Sequence, residues 1–114
     1  MAPSYATGQG EADHRWHGAR EAFQRRQLDQ AQQLCEAVVA NAPGFAQGQA
    51  LLGKILAAKG HSFNAIEAFK RALALSPQDT QLHMDYAMAL YTLKLPEKAR
   101  DAFEGAFRGG PSKS

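Results

Sequence analysis

The chain has 114 residues, 45% of them hydrophobic, a formal charge of +2 and a single cysteine. That length supports one modest core and is short for a two-domain enzyme, and thirteen Lys and Arg against eleven Asp and Glu make no electrostatic case for a nucleic-acid partner. The lone Cys35 excludes an internal disulfide and a thiolate zinc site, and no run reaches the ~18 apolar residues of a spanning helix, so the expectation is a cytoplasmic, unprocessed protein with no membrane contact.

Residues 1–11, MAPSYATGQGE, read as a flexible lead-in. Three blocks follow, 12–45, 46–79 and 80–113, because a shift of 34 residues superposes the chain on itself. Pro43, Pro77 and Pro111 form one series; Ala31, Ala65 and Ala99 form a second. Cys35, Phe69 and Phe103 are a third, with Val38, Ala72, Ala106 and Ala19, Gly53, Ala87 completing the set.

The middle block shows what each block folds into. Leu51, Leu52, Ile55 and Leu56, then Ala65, Ile66, Phe69, Ala72 and Leu73, keep the three-and-four spacing of one helix face. The break between them is Lys59-Gly60-His61, where Gly can close the first helix in a left-handed conformation. In the third block Asp79 is placed to cap a helix opening at Thr80, and Pro96 suits the first turn of the last helix. The expectation is six helices of about 12 to 14 residues, two per block. A tail begins at about residue 109. With no capping helix after the last one, Phe107 and Leu95 are expected to be partly exposed there, a face suited to self-association, to a downstream segment or to a docking partner.

The small residues state how the helices meet. A bulky side chain holds two axes apart, so Ala31, Ala65 and Ala99 opposite Ala19, Gly53 and Ala87 mark close crossings. Phe69 and Phe103 fill the space beside them, whereas Cys35 leaves the first block less well filled unless Trp16 or Phe23 compensates.

On these residues the chain resembles the tetratricopeptide repeat family, a 34-residue helix-turn-helix unit with small residues at its eighth, twentieth and twenty-seventh places, an aromatic at the twenty-fourth and Pro at the thirty-second. The middle block matches with Gly53, Ala65, Phe69, Ala72 and Pro77; the first departs, with Cys35 at the aromatic place and Val38 at a small one. The resemblance implies an all-α fold, a right-handed superhelical solenoid of three helix pairs whose inner groove is lined by the first helix of each pair and holds peptides or partner helices.

Carried over place by place, the groove receives Asp13, Trp16, His17, Arg20, Phe23 and Gln24 from the first block. Gln47, Ala50, Leu51, Lys54, Ala57 and Ala58 come from the second, and Gln81, Met84, Asp85, Met88, Tyr91 and Thr92 from the third. The expected partner-binding residues are Trp16, His17, Arg20, Phe23, Leu51, Lys54, Gln81, Met84, Asp85, Met88 and Tyr91: an apolar floor with Arg20 and Lys54 as cations and Asp85 opposing them at the far end. Relatives that clamp the acidic tails of heat-shock chaperones use Lys, Asn, Asn, Lys and Arg. The matching places here are Trp16, Arg20, Leu51, Gln81 and Asp85, so a chaperone-tail clamp is not expected.

Residues that carry chemistry elsewhere have simpler readings here. His14 and His17 beside Asp13 could face one ion, yet such groups at a helix start are ordinarily solvated surface; His61 and His83 have no ligand spacing to them. There is no nucleophile elbow and no phosphate-cradling loop, and Cys35 has no adjacent base. Arg15, Arg20, Arg25 and Arg26 read as a solvated basic face. The expectation is therefore a non-enzymatic adapter or scaffold that needs no cofactor or metal and binds a protein segment. The alternatives are the amino-terminal module of a longer transferase or hydroxylase, and a self-assembly module using the last helix.

Overall fold

The chain is built of helices joined by short turns, and the faces they bury follow from their sequences. In the computed structural model, which describes the backbone of residues 4–107 and the side chains of 14–106, the elements are α1 (Ser4–Gln24), α2 (Leu28–Asn41), α3 (Ala46–Ala58), α4 (Ser62–Leu75), α5 (Thr80–Thr92) and α6 (Pro96–Phe107). Helix α4 is typical: Ala65, Ala68, Phe69 and Ala72 are its buried residues, one stripe at the i, i+3, i+4, i+7 spacing. Helix α1 is the exception in length, 21 residues from Ser4, opening ahead of the expected block boundary at residue 12. The expected positions of Pro111 and of the Phe107 side chain lie outside the described residues.

The helices pair as α1 with α2, α3 with α4 and α5 with α6, and neighbouring pairs meet chiefly through α2 on α3 and α3 on α5. The principal extents are 48 × 34 × 19 Å, and a thickness of 19 Å is two helix layers at roughly 10 Å each. The result is an all-α solenoid of three helix-turn-helix repeats, with α3 of the middle pair packed against both neighbouring pairs and α4 against the third.

The backbone repeats as faithfully as the sequence. Arg26, Gly60 and Lys94, 34 residues apart, all take positive φ, at 65°, 83° and 64°. At each of these turns the next residue donates to the carbonyl five positions back: Gln27 to Ala22, His61 to Leu56 and Leu95 to Leu90, all at 2.9 Å. Arg26, Gly60 and Lys94 themselves donate to Phe23, Ala57 and Tyr91 at 2.9–3.0 Å. These two bonds make the Schellman closure that satisfies the last carbonyls of a helix. The left-handed Gly60 matches the sequence reading; its two counterparts are L-residues that bear the steric cost of this region. Replacing Lys94 by Gly should therefore stabilise the fold by about 0.5–1 kcal/mol, and Gly60→Ala should destabilise it by about 1 kcal/mol. Midpoints of urea unfolding at unchanged slope check both.

The capping and Pro expectations also hold locally. Asp79 Oδ1 accepts from the Leu82 N–H at 3.2 Å, and Pro96 is the first residue of α6. Helices α2 and α3 are tied by Lys59, whose Nζ donates to Asp29 Oδ1 and to Gln32 Oε1, each at 2.7 Å. That bond and the lysine charge hold the Asp29 carboxyl below its usual range. Gln49, the one buried polar residue described, donates to the Pro43 carbonyl and accepts from Arg71 Nε at 3.1 Å, so its amide is satisfied at both ends.

The crossings differ in how they share volume. A Cβ built on Gly53 would lie 2.6 Å from Cδ2 and Cε2 of Phe69, so the fully buried ring occupies the space a side chain would need. At the equivalent places of the first pair stand Ala19 and Cys35, both fully buried, an extra methyl on one helix offsetting a smaller residue on the other. Trp16 and Phe23 also pack against this core. In the third pair Ala87 faces an aromatic place again, and Phe103 is left only partly buried. Leu95 is likewise partly buried.

Candidate functional site

The first helix of each pair, α1, α3 and α5, borders a groove, and its floor follows from their spacing. Two cavities open along it. The first, of about 460 Å³, is lined from α1 by Trp16, Arg20, Phe23 and Gln24, from α3 by Ala46, Gln47, Ala50, Leu51 and Lys54, and from the start of α5 by Asp79, Gln81, Leu82 and Asp85. The second, of about 370 Å³, is lined by Phe23, Arg26, Lys54, Ala57, Ala58, Asp85, Met88, Ala89 and Thr92.

Of the residues expected in the groove, Trp16, Arg20, Phe23, Leu51, Lys54, Gln81, Asp85 and Met88 line one cavity or both. His17, Met84 and Tyr91 line neither: His17 meets the edge of the Trp16 ring at 5.0 Å, and Tyr91 stands 68% exposed on α5. Asp13 lies among residues whose side chains are outside the described set. Sequence reasoning missed Arg26, Ala46, Asp79, Leu82 and Ala89 as lining residues. Arg26 had a signal available, its spacing of 34 from Gly60, which marks it as the residue turning the chain at the groove's edge.

Trp16 is fixed on both sides. Its Nε1–H donates to the Gln47 carbonyl at 3.1 Å, its ring meets Phe45 edge-on at 6.3 Å, and the Arg20 guanidinium lies 5.4 Å from the ring centroid. A cation held over an indole face is attracted by the ring quadrupole, which orders Arg20 without neutralising it. Asp85 is not set apart at the far end, as the sequence reading has it, but pairs with Lys54, Nζ to Oδ2 at 3.2 Å. Its Oδ1 accepts from Gln81 Nε2 at 3.0 Å. The pairing arises because α3 and α5 are adjacent, which brings residues 31 positions apart together. Both groove carboxylates are thus engaged internally, Asp79 at its helix cap and Asp85 with Lys54, while Arg20 and Arg26 have no carboxylate partner among the described residues.

Cys35 is built for packing. Its Sγ–H donates to the Gly48 carbonyl at 3.2 Å, and burial, aided by the Glu36 charge, pushes the thiol up to about 12. At neutral pH it is a protonated thiol and a poor nucleophile. Among the described residues no three His, Cys, Asp or Glu side chains come together so as to hold a metal ion, and no helix is long and apolar enough to cross a membrane.

Comparison with known proteins agrees with this fold. A crystal structure of MamA superposes with a TM-score of 0.74 at 18% identity, covering 86% of this chain and 57% of that one. A structure of MamA AMB-1 gives 0.74 at 24% identity, covering 86% of this chain and 58% of that one. The chain thus spans rather more than half of each neighbour's length, and at these identities the likeness is one of fold. No curated protein matches the sequence. The family model described as Tetratricopeptide repeat matches residues 18–79 and again 60–114, and with three helix pairs in a 34-residue register on the page, the chain belongs to the tetratricopeptide repeat family.

Proposed function

We propose that this chain is a non-enzymatic protein-interaction module, an adapter or scaffold, that holds a segment of a partner protein in the groove between α1, α3 and α5. The observation that carries the reading is the state of the groove: cavities floored by the half-buried Phe23 and the largely buried Ala50, Leu51 and Ala57, beside an Arg20 held over Trp16 with no carboxylate partner among the described residues. Apolar anchoring area with a few placed charges is how small modules bind segments. Cytoplasmic residence belongs to the same reading.

The structure selects the variant for the test. Reversing Lys54 would set a second carboxylate against Asp85, 3.2 Å away, and disturb the α3 to α5 contact. Arg20→Glu reverses an exposed charge on α1 and removes the guanidinium from over the Trp16 ring, leaving the α3 to α5 ion pair in place. Partners captured from source lysate by the parent protein should be retained at least tenfold less by Arg20→Glu, with circular dichroism unchanged. Equal retention would exclude the groove as the binding surface.

A further inference from the structure

The groove also specifies the conformation of what it takes, an inference that rests on the groove reading above. Phe23, Lys54 and Asp85 border both cavities, so the Lys54 to Asp85 ion pair stands between two compartments. Corresponding lining residues lie seven positions apart: Ala50 and Ala57 on α3, Gln81 and Met88 on α5. At 1.5 Å per residue that is roughly 10 Å along the groove.

Three conformations of a bound segment can be compared with that spacing. In a β-strand, side chains on one face recur about every 7 Å, at i and i+2, or about 13 Å, at i and i+4, and neither fits. A helix reaches ~10 Å with anchors at i and i+7, but its backbone N–H and C=O groups are already used within the helix. Laid across the groove, it could meet the Lys54 to Asp85 pair only through a polar side chain at i+3 or i+4, ordered at an entropy cost, because its backbone has nothing to offer in place of the lost water. A polyproline II segment rises ~3.1 Å per residue with three residues per turn, so side chains at i and i+3 share a face ~9 Å apart, and its backbone polar groups are free. One anchor then enters each cavity while the intervening main chain crosses the ion pair. Asp85 keeps acceptor capacity and Lys54 keeps donors for that chain.

Charge completes the specification. Asp79 and Asp85 are occupied by the Leu82 N–H and by Lys54 with Gln81. Arg20 in the first compartment has no carboxylate partner among the described residues. We infer that the groove takes an extended, polyproline II segment of a partner protein bearing two apolar side chains three residues apart, with an Asp or Glu beside the one that enters the Trp16 compartment.

The test is selection of the intact protein against a displayed library of random peptides, followed by titration of the enriched peptides on the fluorescence of Trp16, the only tryptophan. The expected consensus has apolar residues at i and i+3 with an adjacent acid. Moving the second apolar residue by one position should weaken binding about tenfold, and replacing the acid by its amide should do the same in the parent protein but not in Arg20→Gln. Anchors at i and i+7 with helix formed on binding would overturn the inference in favour of a helical occupant, and affinity indifferent to the acid would overturn its charge component. If no peptide is enriched while lysate partners still depend on Arg20, the inference fails and the groove reading stands. If those partners are indifferent to Arg20 as well, both fail.

Discussion

Truncating Phe69 to Ala is expected to cost about 3–5 kcal/mol, the range for deleting a fully buried aromatic ring from a close-packed core. The ring joins three helices: it belongs to α4, fills the space over Gly53 of α3, and lies 5.3 Å from the Tyr86 ring of α5 at an interplanar angle of 32°. Loss of that aromatic pair adds ~0.5–1.5 kcal/mol to the transfer and cavity costs. A domain of this size has a total stability of about 5–15 kcal/mol, so the substitution should lower the melting temperature by roughly 10–25 °C. The position of the loss also matters. In a solenoid, stability is approximately a sum of repeat and interface terms, and Phe69 serves both the middle repeat and its interface with the third. The variant should therefore lose cooperativity: urea unfolding followed by Trp16 fluorescence, which reports the first repeat, should separate from that followed by far-ultraviolet circular dichroism. A loss below 2 kcal/mol with coincident transitions would show that neighbouring side chains collapse into the cavity and that the ring does not couple the repeats.

This prediction rests on a feature legible in sequence, and the contrast with what was not legible is physical. Small residues, aromatics and prolines recurring every 34 positions report packing that repeats in space, so the helix pairs, the Asp79 cap and the left-handed Gly60 could all be placed from residue types alone. Arg26 and Lys94 share the Gly60 backbone conformation with side chains that do not favour it; there only the repeat register carries the signal. The length of α1 was hidden for another reason. Its first two turns, SYATGQGE, have no apolar stripe in their sequence, and a segment without one leaves no helical periodicity to find. In the groove, family register brought Trp16, Arg20, Leu51, Lys54 and Gln81 to the cavity walls, because lining positions follow from helix geometry. The pairing of Lys54 with Asp85 depended on how closely α3 and α5 approach, which residue types do not state. That pairing changes the chemistry of the groove from a cationic end facing an anionic one into a surface whose uncommitted charge, among the described residues, is positive.

Gly53 is the position where local preference and packing oppose each other most directly. In a helix interior Gly costs about 1 kcal/mol relative to Ala, so on propensity alone Gly53→Ala should stabilise α3. Its new Cβ would sit 2.6 Å from two atoms of the Phe69 ring, well inside van der Waals contact, and the ring is closed in by Tyr86 on another side. Because interiors are close-packed, either the α3 to α4 distance increases or the ring leaves its rotamer. Overpacking of this kind costs about 1–3 kcal/mol, so the net effect after the propensity gain should lie between neutrality and a destabilisation of about 2 kcal/mol, and Gly53→Leu should leave the middle pair unable to close. Failure to fold alone would not identify the cause, but a double-mutant cycle does. Phe69→Leu loses Cε2 and replaces the rigid ring by a branched chain whose methyls can turn away from the new one, so Gly53→Ala should be neutral or stabilising in that background, a coupling of about 1–3 kcal/mol measurable by urea unfolding. The first repeat offers the natural comparison, with Ala19 and Cys35 holding the same two places, both fully buried. If the cycle shows no coupling, the crossing is looser than 2.6 Å implies and Gly53 has no packing role. If it shows the expected sign, the chain meets a single constraint in two ways, Gly with Phe in one repeat and Ala with Cys in another, and the constraint is the total volume at the crossing rather than the identity of either residue.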